Sequence, residues 1–565
     1  MARRAAVSPS LWCLAALPAV WLMPQHYLPW LAAHQDLAAL LLLVLAGLLV
    51  RGPASLPLAW AAGLATALAS IGAQALFGPI VFGGDAWMAA LYMLAFGSAL
   101  AVGQASAREA LDGQGRLLDA IALGTLAAAI ASTAIALMQW TETRWLPVTV
   151  AALLPGDRPY ANFAQANNFC SALFLGLCSL CWLRESGRIG RLGWVLAAAL
   201  LLFGMAMSGS RTGWLQVVLA AALLAWRGRH APGAVLRPPH ALALVAGLVG
   251  LSLAWPLLND ALGLASHRSA ADQVQAGLRL PIWQLSLEAL SRHPWWGWGW
   301  QQVPAAQLAV ALDLPPLQRQ FEHAHNIVLD LMLWAGVPVG GFIAACAGLA
   351  LWGQARRLAD PRALWLMAGA LGVVVHGLLE FPLEYAYLLL PLGVMLGVVQ
   401  ALCPGQAALR IPARALQAGS AVLGAMVLLT ALDYFEVEQN YRTARLETTF
   451  GERRITSPAP DLRVLSQLEA FMRLIRVEPR AGMSAAELDA LRAASTRYPY
   501  PPALVQLAAS EGLNGRPEAA HDALRRLCAM QPPRRCDEAR QAWLDLQARH
   551  PVLAAVQAPD IPGKR

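Results

Sequence analysis

The sequence predicts an all-α polytopic membrane protein of about 13 transmembrane helices, with a large outer loop and an outer helical domain at the C-terminus. Three observations predict it. Of 565 residues 58% are hydrophobic and the mean hydropathy is +0.49, too apolar for a soluble chain of this length. The apolar residues come in blocks of roughly 17–25, the length that crosses a bilayer as helix. Finally, the arginines gather in alternate loops, which is the mark of membrane orientation.

The spans fall near residues 11–30, 37–50, 56–77, 86–103, 117–140, 165–183, 192–207, 212–226, 240–258, 326–352, 363–379, 384–402 and 413–432. The start, "MARRAAVSPSLWCLAALPAVWLM", has a basic end and an apolar stretch but no small-residue cleavage site, so it reads as a retained span. With the N-terminus inside, every inner loop carries arginine. The outer loops hold Arg144, Arg158, Arg211, Arg268, Arg279, Arg292 and Arg319, and three of them hold none. The net charge of +8 therefore describes orientation. No basic cluster with interleaved aromatics supports nucleic-acid binding.

Residues 1–433 form the membrane part and 434–565 a polar, helical tail, outside by the odd span count. Within the tail, "YPYPPALVQLAASEGLNGRPEAAHDALRRLCAM" reads as two amphipathic helices around a Gly-containing turn, like one tetratricopeptide-type hairpin. Six cysteines lie in or beside spans, where cysteine is a small apolar residue. Cys528 and Cys536 flank a turn in the polar tail, and an oxidising outer compartment would pair them.

Candidate chemistry collects on the outer side. The longest interior loop, 259–325, ends in "FEHAHNIVLDLMLWAGVPVG", which sets Glu322, His323 and His325 against an apolar run. Arg211 lies in the short turn of "SGSRTGWL". Arg279 starts an amphipathic helix, "RLPIWQLSLEAL". Arg158 precedes a helix start that holds Asn162, Gln165 and Asn168. Guanidinium groups bind phosphate oxygens through fixed N–H donors and stay charged in low dielectric. Arginines near an imidazole at a membrane surface therefore suit a lipid-linked phosphate. The bland readings are lipid-phosphate anchors for the arginines and a helix end-cap for the histidine. A metal site is disfavoured, since residues i and i+2 point apart on a helix. "HPWWGWGW" is an interfacial aromatic anchor or, in the sharper reading, a sugar-stacking surface.

The pieces "RPYANFAQANN", "SGSRTGWL", "RLPIW", "HPWWGWGW", "HAHNIVLDLMLWAGVPVGG" and "HGLLEFPLEYAYLLLPLGVMLG", spread over residues 158–397, resemble the bacterial O-antigen ligase and polymerase superfamily. The element containing His376, Glu380, Pro382 and Tyr385, followed by an outer tail, resembles its protein O-oligosaccharyltransferase branch. The resemblance implies an enzyme of the bacterial inner membrane with its active site on the periplasmic face. It would transfer oligosaccharide from undecaprenyl pyrophosphate to a Ser/Thr hydroxyl of a protein such as pilin. It implies that His325 is the general base and that Arg211 and Arg279 bind pyrophosphate. Arg158, Asn162, Gln165, Asn168, His323 and Glu380 become expected substrate contacts; Glu322 or Glu380 would pair with His325 or with an arginine. No cofactor or metal is expected, because the donor is already activated. The alternatives are an O-antigen ligase acting on lipid A-core, an O-antigen polymerase and, from another class, a lipid-linked glycan transporter.

Overall fold

The computed structural model describes residues 9–112, 118–143, 149–153, 157–163, 165–264, 279–450 and 455–559. Arg144 and Arg268 lie outside them, as does 265–278 of the long loop. All the predicted apolar segments carry helix. Among the described residues, seven helices are long and apolar enough to cross a membrane: Leu58–Phe77, Gly83–Leu111, Leu118–Trp140, Ala166–Glu185, Pro238–Leu262, Ile327–Ala355 and Ala413–Thr449. Shorter apolar helices occupy Pro9–Leu22, Ala33–Leu49, Arg191–Met207 and Ala386–Leu402. Arg211–Arg227 and Pro361–Gly377 are helices of 17 residues each. One short antiparallel pairing, Ala54–Pro57 with Ala408–Ile411, is the sheet present among the described residues.

The chain forms two compact units, one of Met1–Ala65, Leu91–Gln275 and Ala345–Leu428, the other of Thr66–Ala90, Ala276–Ala344 and Leu429–Arg565. The first unit is built around Ala166–Glu185, 94% of whose apolar window is buried. A helix that is apolar on every face needs neighbours on every face, and Leu118–Trp140, Arg191–Met207 and Pro361–Gly377 supply them. Small residues set the spacing where helices cross. A side chain at Gly103 or Gly397 would press into the backbone of the facing helix, so these positions allow close helix contact without a hydrophobic driving force.

The second unit does not begin at residue 434. The helix Ala413–Phe450 runs uninterrupted through that point, and the tail groups with 66–90 and 276–344. Pro501–Leu513 and Pro517–Met530 are the two expected helices, turning at Gly515 with φ +76°. Leu504, Leu524, Leu527 and Trp543 fill their core, and Cys528 and Cys536 are disulfide-bonded.

The largest departure from the sequence expectation is the segment 326–352, read as a single span. Ile327–Ala355 breaks at Gly336, whose φ of 81° and ψ of 163° are non-helical. Beyond the break the chain doubles back, bringing Gly340 against the Leu331 carbonyl. The first limb is too short to cross a bilayer alone. A break in an apolar environment leaves backbone groups that must find partners, and the "HPWWGWGW" loop provides them. The Trp298 N–H donates to Leu333 O at 2.6 Å, the Gly299 N–H to Trp334 O at 3.1 Å, and the Val337 N–H to Pro294 O at 2.7 Å. Gln74, fully buried, completes the seam: its Nε2 donates to Trp296 O at 2.7 Å and Trp334 O at 2.8 Å. The backbone of this aromatic loop thus seals a broken helix.

Candidate active site

Two groups of the predicted residues are built, one in each unit. In the second unit the His-bearing segment is held from three sides. The Ala324 N–H donates to Asp330 Oδ1 at 2.7 Å, and the Trp283 indole N–H donates to Ala324 O at 3.1 Å. Asn326 caps the helix, its Oδ1 accepting from the N–H groups of Val328 at 3.0 Å and Leu329 at 3.3 Å. Between these anchors His325 takes φ +54°, a left-handed conformation that few non-glycine residues adopt. Its neighbour His323 is buried, with its ring edge-on to Trp334, while His325 is half-buried. Both imidazoles precede the helix, so the objection to a metal that rested on helical spacing does not apply. Among the described residues no group of three His, Cys, Asp or Glu is placed to hold an ion.

Arg279 opens the helix Arg279–Arg292 and is half-buried. Trp283, one turn on and so on the same helix face, is the residue bonded to Ala324. That bond ties the Arg279 face to the residue before His325. Glu322, which the sequence left between several partners, accepts the Tyr500 hydroxyl at 2.8 Å. Burial and the adjacent Glu322 carboxylate push the Tyr500 phenol above its usual range. Nearby, Arg497 donates from Nε and Nη2 to Asp85 at 3.0–3.1 Å, and Gln302 Nε2 donates to Asp85 at 2.9 Å. Burial would pull the Arg497 guanidinium down, but the Asp85 carboxylate holds it above its ordinary value.

In the first unit Arg211 begins the helix Arg211–Arg227 after the Ser208–Ser210 turn, which passes through Gly209 at φ +58°. Arg158 locks that turn, donating from Nη1 to the carbonyls of Ser208 at 3.2 Å and Gly209 at 3.3 Å. Arg158 and Arg211 are therefore neighbours. Gln165 stands half-buried at the start of Ala166–Glu185. His376 Nδ1 lies 2.8 Å from the Ser171 hydroxyl, to which Gln216 Nε2 also donates at 2.8 Å. Glu380 follows half-buried, with its N–H on His376 O at 2.8 Å.

Two of the expected contacts, Asn162 and Asn168, are engaged within the fold. Asn162 is fully buried and its amide is spent on backbone. It donates to Leu22 O at 2.8 Å and Thr149 O at 2.9 Å, and accepts the Ala151 N–H at 2.9 Å. Asn168, also fully buried, donates to the Tyr387 hydroxyl at 2.8 Å, and the Tyr387 N–H reaches Asp36. Both asparagines hold the loop that carries Arg158 and Gln165. His26, missed from the sequence, does the same, with Nε2 3.0 Å from Asn162 O and Nδ1 3.1 Å from Leu31 O. The sequence placed residue 26 inside the first span, whereas the helix ends at Leu22 and His26 follows it in a loop.

The apolar helices define a polytopic helical membrane protein, and each unit carries its own group of the expected polar residues. Residues 196–345 match the O-antigen ligase family, and residues 364–544 match the C-terminal part of a virulence factor membrane-bound polymerase family. The general O-oligosaccharyltransferase of Acinetobacter baylyi is 29% identical over 482 residues, 83% of either chain. The ComP-specific O-oligosaccharyltransferase of the same organism is 28% identical over 249 residues, 43% of this chain and 44% of that one. Over residues 196–345 the chain is thus similar to the O-antigen ligase family, and along most of its length to an O-oligosaccharyltransferase.

Proposed function

We propose that this protein is a glycosyltransferase that moves an oligosaccharide from a lipid-linked pyrophosphate donor to a Ser/Thr hydroxyl of a protein such as pilin, with undecaprenol as the lipid. The observation that carries the reaction class is the similarity to a general O-oligosaccharyltransferase along 83% of both chains. His325 acts as general base. It accepts the hydroxyl proton as the oxygen attacks the anomeric carbon and the bond from that carbon to the pyrophosphate oxygen breaks. An imidazole suits the task near neutral pH. The left-handed backbone of His325 supports this role, because strained residues persist where function needs their position. Arg211 and Arg279 stabilise the charge that grows on the leaving pyrophosphate. Arg158, which bonds the turn before Arg211, and Gln165, at the start of Ala166–Glu185, complete the donor contacts. No nucleotide or metal takes part on this reading.

The predicted orientation, with about 13 crossings, puts these residues and the tail on the periplasmic side of the inner membrane. The test is reconstitution of purified protein, lipid-pyrophosphate oligosaccharide and a candidate pilin, with His325→Ala beside wild type and with chelator added. Glycosylated pilin from wild type only, unaffected by chelator, is the expected outcome. Modification of lipid A-core or lengthening of the lipid-linked glycan would overturn the acceptor assignment and keep the chemistry. Full activity in folded His325→Ala would remove the base.

A further inference from the structure

The second unit contains a cavity of about 470 Å³, inside the range of about 300–1,000 Å³ usual for small-molecule clefts. Trp296, Trp298 and Phe77 give it aromatic surface, and His293, Thr496 and Gln302 give it polar groups. No carboxylate is among the lining residues, and the one permanent charge, Arg497, is paired with Asp85. An anion would find that guanidinium already neutralised. Aromatic faces combined with uncharged donors and acceptors suit a ligand with apolar C–H faces and a rim of hydroxyls, which is a sugar ring. The Trp298 indole N–H is fixed on Ala289 O at 2.8 Å, so that ring is a rigid wall. Trp296 remains partly exposed, its backbone carbonyl held by Gln74.

The cavity is joined to the proposed base by the backbone seam. The loop that carries Trp296 and Trp298 is bonded to Leu333, Trp334 and Val337, on the helix that His325 precedes. We propose that this cavity is a glycan subsite, holding a sugar unit of the transferred oligosaccharide at a distance from the bond being broken. The inference rests on the glycan-transfer reading above and adds to it a place where glycan length and identity are sensed.

The experiment compares two donors, lipid pyrophosphate carrying the full oligosaccharide and the same lipid carrying one sugar. Wild type, Trp296→Ala and Ala305→Phe are assayed with both; the second variant fills the cavity and removes nothing. Saturation-transfer NMR with the lipid-free oligosaccharide gives a readout independent of turnover. We expect either variant to raise KM for the oligosaccharide donor about tenfold, the loss of one stacking contact. KM for the single-sugar donor and for the acceptor should stay within about twofold. Saturation transfer should disappear in both variants. Equal loss with both donors, a rise in acceptor KM instead, or no change would each overturn the subsite. Should wild type transfer neither donor yet show saturation transfer that Trp296→Ala abolishes, the subsite stands and the reaction assignment falls.

Discussion

His325 sits where an L-residue is penalised by about 1–2 kcal/mol, at φ +54° between a capped helix and a pinned loop. Glycine would occupy that backbone without penalty. His325→Gly should therefore melt no lower than wild type in detergent while losing transfer by about 10²–10⁴-fold. A clearly lowered melting temperature, or retained turnover, would contradict that account. For the guanidinium groups, Arg211→Ala and Arg279→Ala should each lower kcat by about 10²–10³-fold, the usual loss on deleting one charge-stabilising donor. An effect on acceptor KM alone would place them elsewhere. At this scale the sequence was legible where chemistry is local. Arg211 is confined by its short turn, readable from neighbours in the chain, whereas the helix end-cap weighed for the histidine is Asn326. Asn162 and Asn168 were not legible, because what commits their amides is Leu22 O, Thr149 O and the Tyr387 hydroxyl, contributed by distant segments. An asparagine reads the same whether it binds a ligand or a loop.

Hydropathy recovered the apolar helices, since each presents an uninterrupted apolar stretch to its surroundings. It failed at Gly336, where averaging over a window hides a reversal between two apolar limbs. The signal was present as Gly336 followed closely by Pro338, two residues that resist helix for opposite reasons. With φ 81° and ψ 163°, Gly336 occupies a region essentially closed to other residues, and an added side chain would press on the Trp295 carbonyl. Gly336→Ala should cost at least about 3 kcal/mol and release the three backbone bonds of the seam. Thermal unfolding in detergent reads the loss, and a variant as stable as wild type would show that the reversal is not rigid. In the tail, the Cys528–Cys536 bond closes a small loop within a packed core. Replacing both cysteines by serine should lower tail stability by about 2–3 kcal/mol. Proteolysis of native protein, with and without reductant, checks it: unchanged susceptibility would mean the surrounding core suffices.

How the segments assemble was the least legible level, because sequence order separates what the fold unites. Nothing local shows that Asp85 and Arg497, 412 residues apart, are partners, or that Tyr500 reaches Glu322. These bonds make the tail part of the unit that carries His325. The ion pair is the sharpest measure of that union, with Asp85 2% and Arg497 14% exposed. Removing one member of a buried pair strands the other charge and costs about 3–5 kcal/mol, whereas replacing both with apolar residues of similar size is often neutral. Arg497→Met should accordingly destabilise the protein strongly and reduce transfer, although it lies in a tail far in sequence from His325. Adding Asp85→Leu should restore most of the stability. Melting temperatures of the two single variants and the double variant decide it. If the double variant is as unstable as the sum of the singles, the pair is not coupled and the tail is held by its apolar contacts instead. If it recovers stability but not transfer, the charges themselves serve the reaction. Recovery of both would make the tail a scaffold whose packing, rather than whose charge, keeps the His325 segment in place.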